Sequence, residues 1–135
     1  MLFVFGKRSE QILSTVEELP QKIARRALQI TKIDFGFPLT GGRRTKEEQN
    51  KLFFSGDSGI DGINSMSYHQ KGWALDVYAY VEDSASYDPY FLTHIAAAFF
   101  QASGEYGVRM TWGGFWKKPD MPHMQFELGC TKEKV

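Results

Sequence analysis

The sequence has one cysteine, Cys130, among 135 residues. An internal disulfide and a cysteine-rich zinc cluster are therefore impossible, and folding does not depend on an oxidising compartment. No histidine partner for a nucleophilic thiol is at hand, so we expect Cys130 to be a free thiol.

An excess of charge of one sign is also missing. The chain carries 16 basic and 16 acidic side chains, for a formal net charge of zero. A balanced chain has no broad positive field to attract a nucleic acid backbone or an anionic membrane surface. We therefore expect no nucleic acid partner.

Long hydrophobic runs are absent too, since none approaches the roughly 20 residues that span a bilayer. The apolar start, residues 1–5, stops at Gly6-Lys7-Arg8. It lacks the basic start, the apolar core and the small-residue cleavage site of a signal peptide. These absences predict a soluble chain made in the cytoplasm, without direct membrane insertion, which needs separate help if it acts outside.

What the chain does have is 42% hydrophobic and 15% aromatic residues, enough for one compact core. We predict a single domain over residues 1–135. Four residue patterns predict helix starts. The first two are Ser9 as an N-cap and Pro20 at a first helical position. The third is a capping box at Thr45-Lys46-Glu47-Glu48, with a helix running to about Phe54, and the fourth is Asp88-Pro89 before an apolar helix that stops at Gly104 or Gly107.

Aromatic and β-branched stretches predict strands at Trp73–Val81, Val108–Trp112 and His123–Leu128, and the polar segment Ser55–Ser67 reads as a loop. In the last strand, alternate residues place Met124, Phe126 and Leu128 on an apolar face and His123, Gln125 and Glu127 on a polar one. The expected fold class is α+β, with helices packed on a small, mainly antiparallel sheet and a polar site at the sheet face.

Two histidines and an aspartate are the candidate metal ligands. His69, Asp76 and His123 would supply the three nitrogen and oxygen donors of a catalytic zinc and leave a fourth position open. On one flat strand His69 and Asp76 would point to opposite faces, but a break at Gly72 lets both reach one point. The alternative is that they are ordinary hydrogen-bonded residues. His94 has no such neighbours and is interpreted as structural.

The pattern Ser67-x-His69-x-x-Gly72-x-Ala74-x-Asp76, joined to Asp120-x-Pro122-His123 after Trp112-Gly113-Gly114-Phe115-Trp116, resembles the zinc D-Ala-D-Ala carboxypeptidase and endopeptidase family (peptidase family M15). Within it, the chain looks most like small phage endolysins that are L-alanyl-D-glutamate peptidases. The segments Phe5–Ser9 and Gly42–Phe53 share this resemblance, which therefore covers nearly the whole chain.

The resemblance implies roles for individual residues. His69, Asp76 and His123 would bind Zn²⁺, and Asp120 would be the catalytic acid/base. Glu127 is a rival for that role, but four residues along a strand place it roughly 13 Å from His123, too far to reach a metal-bound water. Arg44 matches an arginine implied to bind a substrate carboxylate or the oxyanion; its alternative is a solvated turn residue.

Two further residues are candidates for substrate binding. Ser67 would hydrogen-bond the substrate or a ligand, or it is simply a turn residue. Trp116 would line a groove for peptide or sugar, since aromatic rings bind extended ligands well.

The resemblance implies a zinc-dependent endolysin that hydrolyses the L-Ala-D-Glu bond of the peptidoglycan stem peptide by attack of a zinc-activated water. Such an enzyme would be made in the host cytoplasm and reach the wall through a pore-forming holin, and no separate wall-binding domain is expected. One alternative is a D-Ala-D-Ala carboxypeptidase of the same family. Another is a non-catalytic, zinc-stabilised wall-binding module, against which the presence of Asp120 argues.

Overall fold

The computed structural model describes residues 2–127, which form five α-helices, one short 3-10 helix and six strands. The helices are α1 (Lys7–Leu13), α2 (Glu18–Ile30), α3 (Lys46–Phe54), α4 (Tyr68–Lys71), α5 (Pro89–Glu105) and the 3-10 helix Gly113–Phe115. The strands are β1 (Phe35–Gly36), β2 (Ala74–Asp76), β3 (Tyr78–Val81), β4 (Ser84–Ser86), β5 (Met110–Trp112) and β6 (His123–Phe126). Within the described part, none of the helices has both the length and the apolar character needed to cross a membrane.

The strands form two three-stranded sheets, with the orders β1-β3-β4 and β2-β6-β5, and every pairing is antiparallel. The predicted α+β class is confirmed, although the strands divide between two sheets. The ring of Phe99 on α5 lies 5.3 Å from that of Phe35 on β1 and 6.3 Å from that of Phe126 on β6. One helix therefore packs against both sheets, and α2 packs against the same helix.

The predicted strand Trp73–Val81 is wrong as one element, because the chain changes sheets within it. β2 ends at Asp76 and β3 begins at Tyr78. At the junction the Asp76 N–H donates to the Gly41 carbonyl and the Val77 N–H to the Pro122 carbonyl. These distant partners pull the backbone out of one sheet and into the other.

Two helix starts also differ from the prediction. α1 begins at Lys7 after Gly6, and the buried Ser9 instead accepts a hydrogen bond from the Phe37 N–H. α2 begins at Glu18, two residues before Pro20. Proline is tolerated there because backbone N–H groups of the first turn have no partner within the helix.

The other two start signals are confirmed. Thr45 and Glu48 form a reciprocal capping box at α3, and the Asp88 side chain accepts from the Tyr90 N–H at α5 with Pro89 in the first turn. α5 ends at Glu105, and Gly107 follows with a φ of 71°. Leu128 and Cys130, for which a strand end and a free thiol are predicted, lie outside the described residues.

Candidate metal centre and active-site cleft

Three side chains from distant parts of the chain meet at one point. Nε2 of His69 lies 3.2 Å from Oδ1 of Asp76 and 3.2 Å from Nδ1 of His123, and this Nδ1 lies 3.4 Å from the same Oδ1. A tetrahedral zinc site with bonds of about 2.05 Å has neighbouring ligand atoms about 3.3 Å apart. The donor set and its spacing therefore fit a divalent metal such as zinc, and all three residues line an open cleft.

Two of these side chains are brought together by the β2–β6 pairing. Asp76 and His123 are directly opposite in the antiparallel register, at the end of β2 and the start of β6. Residues opposite each other on one face of a sheet have adjacent side chains. The site thus lies at the end of the second sheet.

His69 lies on the one-turn helix α4, which is capped by side chains at its start and ended by a glycine. The Ser67 hydroxyl accepts from the Gln70 N–H, while the Gln70 side chain accepts from the Ser67 N–H. Gly72 ends the helix with a φ of 77°, and a Cβ there would collide with the guanidinium of Arg43. The predicted break at Gly72 is present and turns His69 towards Asp76.

The backbone of the turn before α3 is hydrogen-bonded to both His69 and Asp76. The Gly41 carbonyl accepts from the Asp76 N–H at 2.9 Å, and the Arg44 N–H donates to the His69 carbonyl at 3.0 Å. Nδ1 of His69 lies 3.0 Å from the Gly42 carbonyl. Because a carbonyl only accepts, that nitrogen carries the proton and Nε2 is left free to bind a metal.

Charges within the group shift the pKa values of Asp76 and His123. Burial alone would raise the pKa of Asp76, but the charges and hydrogen bonds of His69 and His123 hold it well below its usual value. Burial alone would lower the pKa of His123, but the hydrogen bond and charge of Asp76 outweigh it and the pKa is raised. A carboxylate that stays ionised beside two imidazoles is the charge state that a metal requires.

Arg44 is buried against the group, with 10% of its side chain exposed. Its guanidinium donates to Oδ2 of Asp76 at 2.8 Å, to the Thr40 carbonyl at 2.9 Å and to Oε1 of Gln49 at 3.1 Å. The alternative of a solvated turn arginine is wrong, because these partners remove the side chain from solvent. The neighbouring Arg43 instead pairs with Glu17 at the protein surface.

Asp120 lies on the wall of the same cleft as the three candidate ligands. Partial burial raises its pKa, the negative charge of Asp76 raises it further, and nearby His123 opposes both. Its backbone is fixed at both ends, since its N–H donates to the Gly113 carbonyl and its carbonyl accepts from the His123 N–H. Gly113 is required here because a Cβ would collide with the Asp120 carbonyl.

The other residues singled out in the sequence, Ser67, Trp116 and His94, differ in burial and in their distance from the metal ligands. Ser67 is buried, and its hydroxyl caps α4 while lining the cleft. Trp116 is 40% exposed, and its ring centroid lies 5.0 Å from that of His123. His94 is exposed on α5 with its ring against Tyr90, away from the other histidines.

The cleft around the group has a volume of about 780 Å³, and its lining includes residues 56–60 and also Trp116, Lys118 and Pro119. Sequence reasoning missed Gln49, Gln125 and Lys118. The alternation of β6 places Gln125 beside His123, a signal that was available, whereas a buried glutamine on α3 has no local signature.

An open group of three ligand atoms beside a carboxylate, set in a wide cleft, is the arrangement of a hydrolytic metal centre rather than of a closed structural one. The fold and the site therefore define a small α+β protein of the hydrolase type, with a group of three residues in its cleft that could hold a metal.

Comparisons with known proteins assign the family. Residues 1–130 match the family model described as phage L-alanyl-D-glutamate peptidase, and the chain belongs to that family. It is 32% identical over 130 residues to the L-alanyl-D-glutamate peptidase of Escherichia phage T5, covering 96% of this chain and 93% of that protein. It is also similar to the crystal structure of the Serratia marcescens L-Ala D-Glu endopeptidase ChiX, with a TM-score of 0.79, 30% identity, and coverage of 92% and 90%.

Proposed function

We propose that this chain is a zinc-dependent peptidoglycan endopeptidase that hydrolyses the L-Ala-D-Glu bond of the stem peptide. The observation that carries the proposal is the triangle of His69, Asp76 and His123, whose edges of 3.2 to 3.4 Å suit a tetrahedral metal. Membership of a peptidase family whose relatives are named for this bond supplies the substrate.

His69, Asp76 and His123 would hold Zn²⁺ through Nε2, Oδ1 and Nδ1. When bound there, zinc would polarise the scissile carbonyl and lower the pKa of water towards about 7. The protein has already ordered these atoms, because a backbone carbonyl, a guanidinium and a cross-strand pairing fix the three side chains.

Asp120 is proposed as the proton carrier. It lies in the cleft with a raised pKa, so its carboxylate is a better base than an ordinary aspartate. It would take a proton from the attacking water and pass it to the leaving amine of D-Glu. Glu127 is two hydrogen bonds away from the group, behind His123 and Gln125, and does not compete for this role.

Arg44 is proposed to act on the substrate as well as on Asp76. Three of its five N–H groups have protein partners, one on each guanidinium nitrogen. The two that remain are available to the oxyanion or to a substrate carboxylate in the cleft. Trp116, beside His123, would pack against the bound peptide or sugar, and Ser67 would donate its hydroxyl hydrogen to substrate while still capping α4.

The proposal extends to the biological setting, for which family membership is the support. We propose that residues 1–135 act as one catalytic domain, made in the host cytoplasm and released to the wall when a holin opens the membrane. The partner is bacterial peptidoglycan, and the comparisons are consistent with a phage lysis enzyme.

The test is digestion of purified peptidoglycan by the wild type, by chelator-treated protein and by Asp120→Ala, with the new termini identified by mass spectrometry. New N-terminal D-Glu with the wild type, lost on chelation and restored by zinc, supports the proposal. Released D-Ala would select the carboxypeptidase instead. No cleavage by a folded, zinc-loaded wild type would leave the wall-binding module as the better account.

A further inference from the structure

A row of hydrogen bonds runs along the polar face of β6 to Glu127, the residue that directly follows this strand, and leads away from the metal ligand atoms. Nε2 of His123 lies 2.9 Å from Oε1 of Gln125, and Nε2 of Gln125 donates to Oε2 of Glu127 at 2.9 Å. Alternate residues of a strand share one face, so the three side chains follow each other directly. Neither Gln125 nor Glu127 has a part in the reaction proposed above.

Glu127, at the end of the row, determines which end of the Gln125 amide faces His123. A carboxylate only accepts hydrogen bonds, whereas a glutamine amide has one accepting end and one donating end. Glu127 therefore selects the NH₂ end of Gln125, which turns Oε1 towards His123. With the amide turned over, Oε1 would face the Glu127 carboxylate, and two acceptors in contact repel.

The orientation of the amide determines the tautomer of His123. Oε1 of Gln125 accepts only, so the proton of the neutral imidazole belongs on Nε2 and Nδ1 keeps its lone pair. Nδ1 is the nitrogen that faces Asp76 and His69. Without an acceptor at Nε2, the Asp76 carboxylate, 3.4 Å from Nδ1, would favour the proton on Nδ1 and so block the lone pair.

We propose that Gln125 and Glu127 are positioning residues that fix the tautomer and the ring orientation of His123 for metal binding. This inference rests on the proposed metal site. His69 obtains the same effect from the backbone carbonyl of Gly42, which no side-chain substitution removes, so the two histidines differ in how they can be tested.

The first experiment measures zinc affinity of the purified protein by competition with a chromogenic chelator. Gln125→Leu removes the acceptor while roughly keeping the side-chain size, and we expect the dissociation constant for zinc to rise about 10- to 100-fold, the usual effect of losing a partner of a histidine ligand. Gln29→Leu, the same exchange at a site on α2 remote from the cleft, is the matched control and should leave it unchanged.

The second experiment tests the direction of the row. Glu127→Gln lets the Gln125 amide take either orientation, so zinc affinity should fall, though less than in Gln125→Leu. The double exchange Gln125→Glu with Glu127→Gln restores an acceptor for His123 and a donor behind it at unchanged net charge. We expect the exchange to return zinc affinity to within a few-fold of the wild type.

A third readout needs neither zinc nor substrate. Imidazole ¹⁵N shifts of the neutral, metal-free protein should place the His123 proton on Nε2 in the wild type and in the double exchange, and move it towards Nδ1 in Gln125→Leu. Glu127→Gln replaces only one carboxylate oxygen by an amide group at a partly buried side chain, so it serves if Gln125→Leu fails to fold.

The inference is overturned if Gln125→Leu and Glu127→Gln both bind zinc like the wild type and keep the Nε2–H tautomer. It is also overturned if Gln125→Leu raises only KM, since Gln125 would then act on substrate. Failure of the proposed function looks different, because a wild type that binds zinc but leaves the L-Ala-D-Glu bond intact still shows the affinity and tautomer effects.

Discussion

The guanidinium of Arg44 holds one oxygen of Asp76 and leaves the other to the two histidines. Nη2 of Arg44 lies 2.8 Å from Oδ2, while Oδ1 lies 3.2 Å from Nε2 of His69 and 3.4 Å from Nδ1 of His123. A single carboxylate is thus divided between a permanent cation and a metal-binding group. Its orientation is fixed before any metal arrives.

This division predicts the effect of removing the arginine. In Arg44→Met the buried Asp76 loses its ion-pair partner, and the Thr40 carbonyl and Gln49 lose a donor. We expect the free energy of unfolding to fall by about 3 kcal/mol, together with weaker zinc binding and lost hydrolysis.

Chemical denaturation of the metal-free protein checks this cost. Arg25→Met is the matched control, because the Arg25–Glu10 pair is about half exposed and such pairs contribute at most about 1 kcal/mol. Equal losses in the two variants would show that burial of Arg44 has no special importance.

Gly72 provides a prediction about the position of His69. In Gly72→Ala the alanine backbone must adopt a φ of 77°, and its Cβ collides with the guanidinium of Arg43. We expect a loss of about 1 to 3 kcal/mol in the free energy of unfolding, and weaker zinc binding as α4 shifts.

Gly104→Ala is the control for this change. Gly104 lies in α5 with open space around its Cβ position and no positive φ, so alanine should stabilise the protein by about 0.5 kcal/mol. Thermal melts of both variants, with and without zinc, make the comparison. Two stabilising substitutions would contradict the strained turn.

Sequence reasoning succeeded where a signal was local. The capping box of Thr45 and Glu48 and the N-cap of Asp88 before Pro89 act within one helical turn, so their residues predict the helix starts directly. It failed at Ser9, whose hydroxyl serves the Phe37 N–H, and at Val77, whose N–H pairs with Pro122. Those partners are distant in sequence and are brought close only by the fold.

The same contrast holds at the site. The alternation along β6 and the break at Gly72 indicate which residues can share a face, and the grouping of His69, Asp76 and His123 follows from the family resemblance. The burial of Arg44 has no local signature, because it depends on Gln49 and Asp76 arriving from other elements. The sequence therefore leaves the solvated alternative for Arg44 open, and only the partners from other elements exclude it.

The pH dependence of zinc stabilisation follows from His123. In the metal-free protein Asp76 raises the pKa of His123, so this interaction stabilises the fold fully below the unfolded value of about 6.5 and is lost as pH rises through the folded value. Zinc requires the neutral imidazole, so protons compete with it. The increase in Tm on adding zinc should be small near about pH 5 and grow towards about pH 8.

Melts with and without zinc across this range measure the difference. A zinc-induced shift that is the same at every pH would mean that protons do not compete at His123. A shift that decreases with rising pH would contradict the ligand assignment.

Asp120 gives the prediction that separates chemistry from metal binding. Asp120→Asn keeps the shape of the side chain and removes its ability to take a proton, so kcat should fall by about 100- to 10,000-fold, the usual contribution of a general acid/base. Zinc affinity should stay close to that of the wild type, because Asp120 is not part of the ligand triangle. Asp57→Asn is the matched control, since Asp57 also borders the cleft but is exposed and is not part of the ligand triangle. If Asp57→Asn lost as much activity as Asp120→Asn, general loss of negative charge in the cleft would explain both, and Asp120 would have no special role.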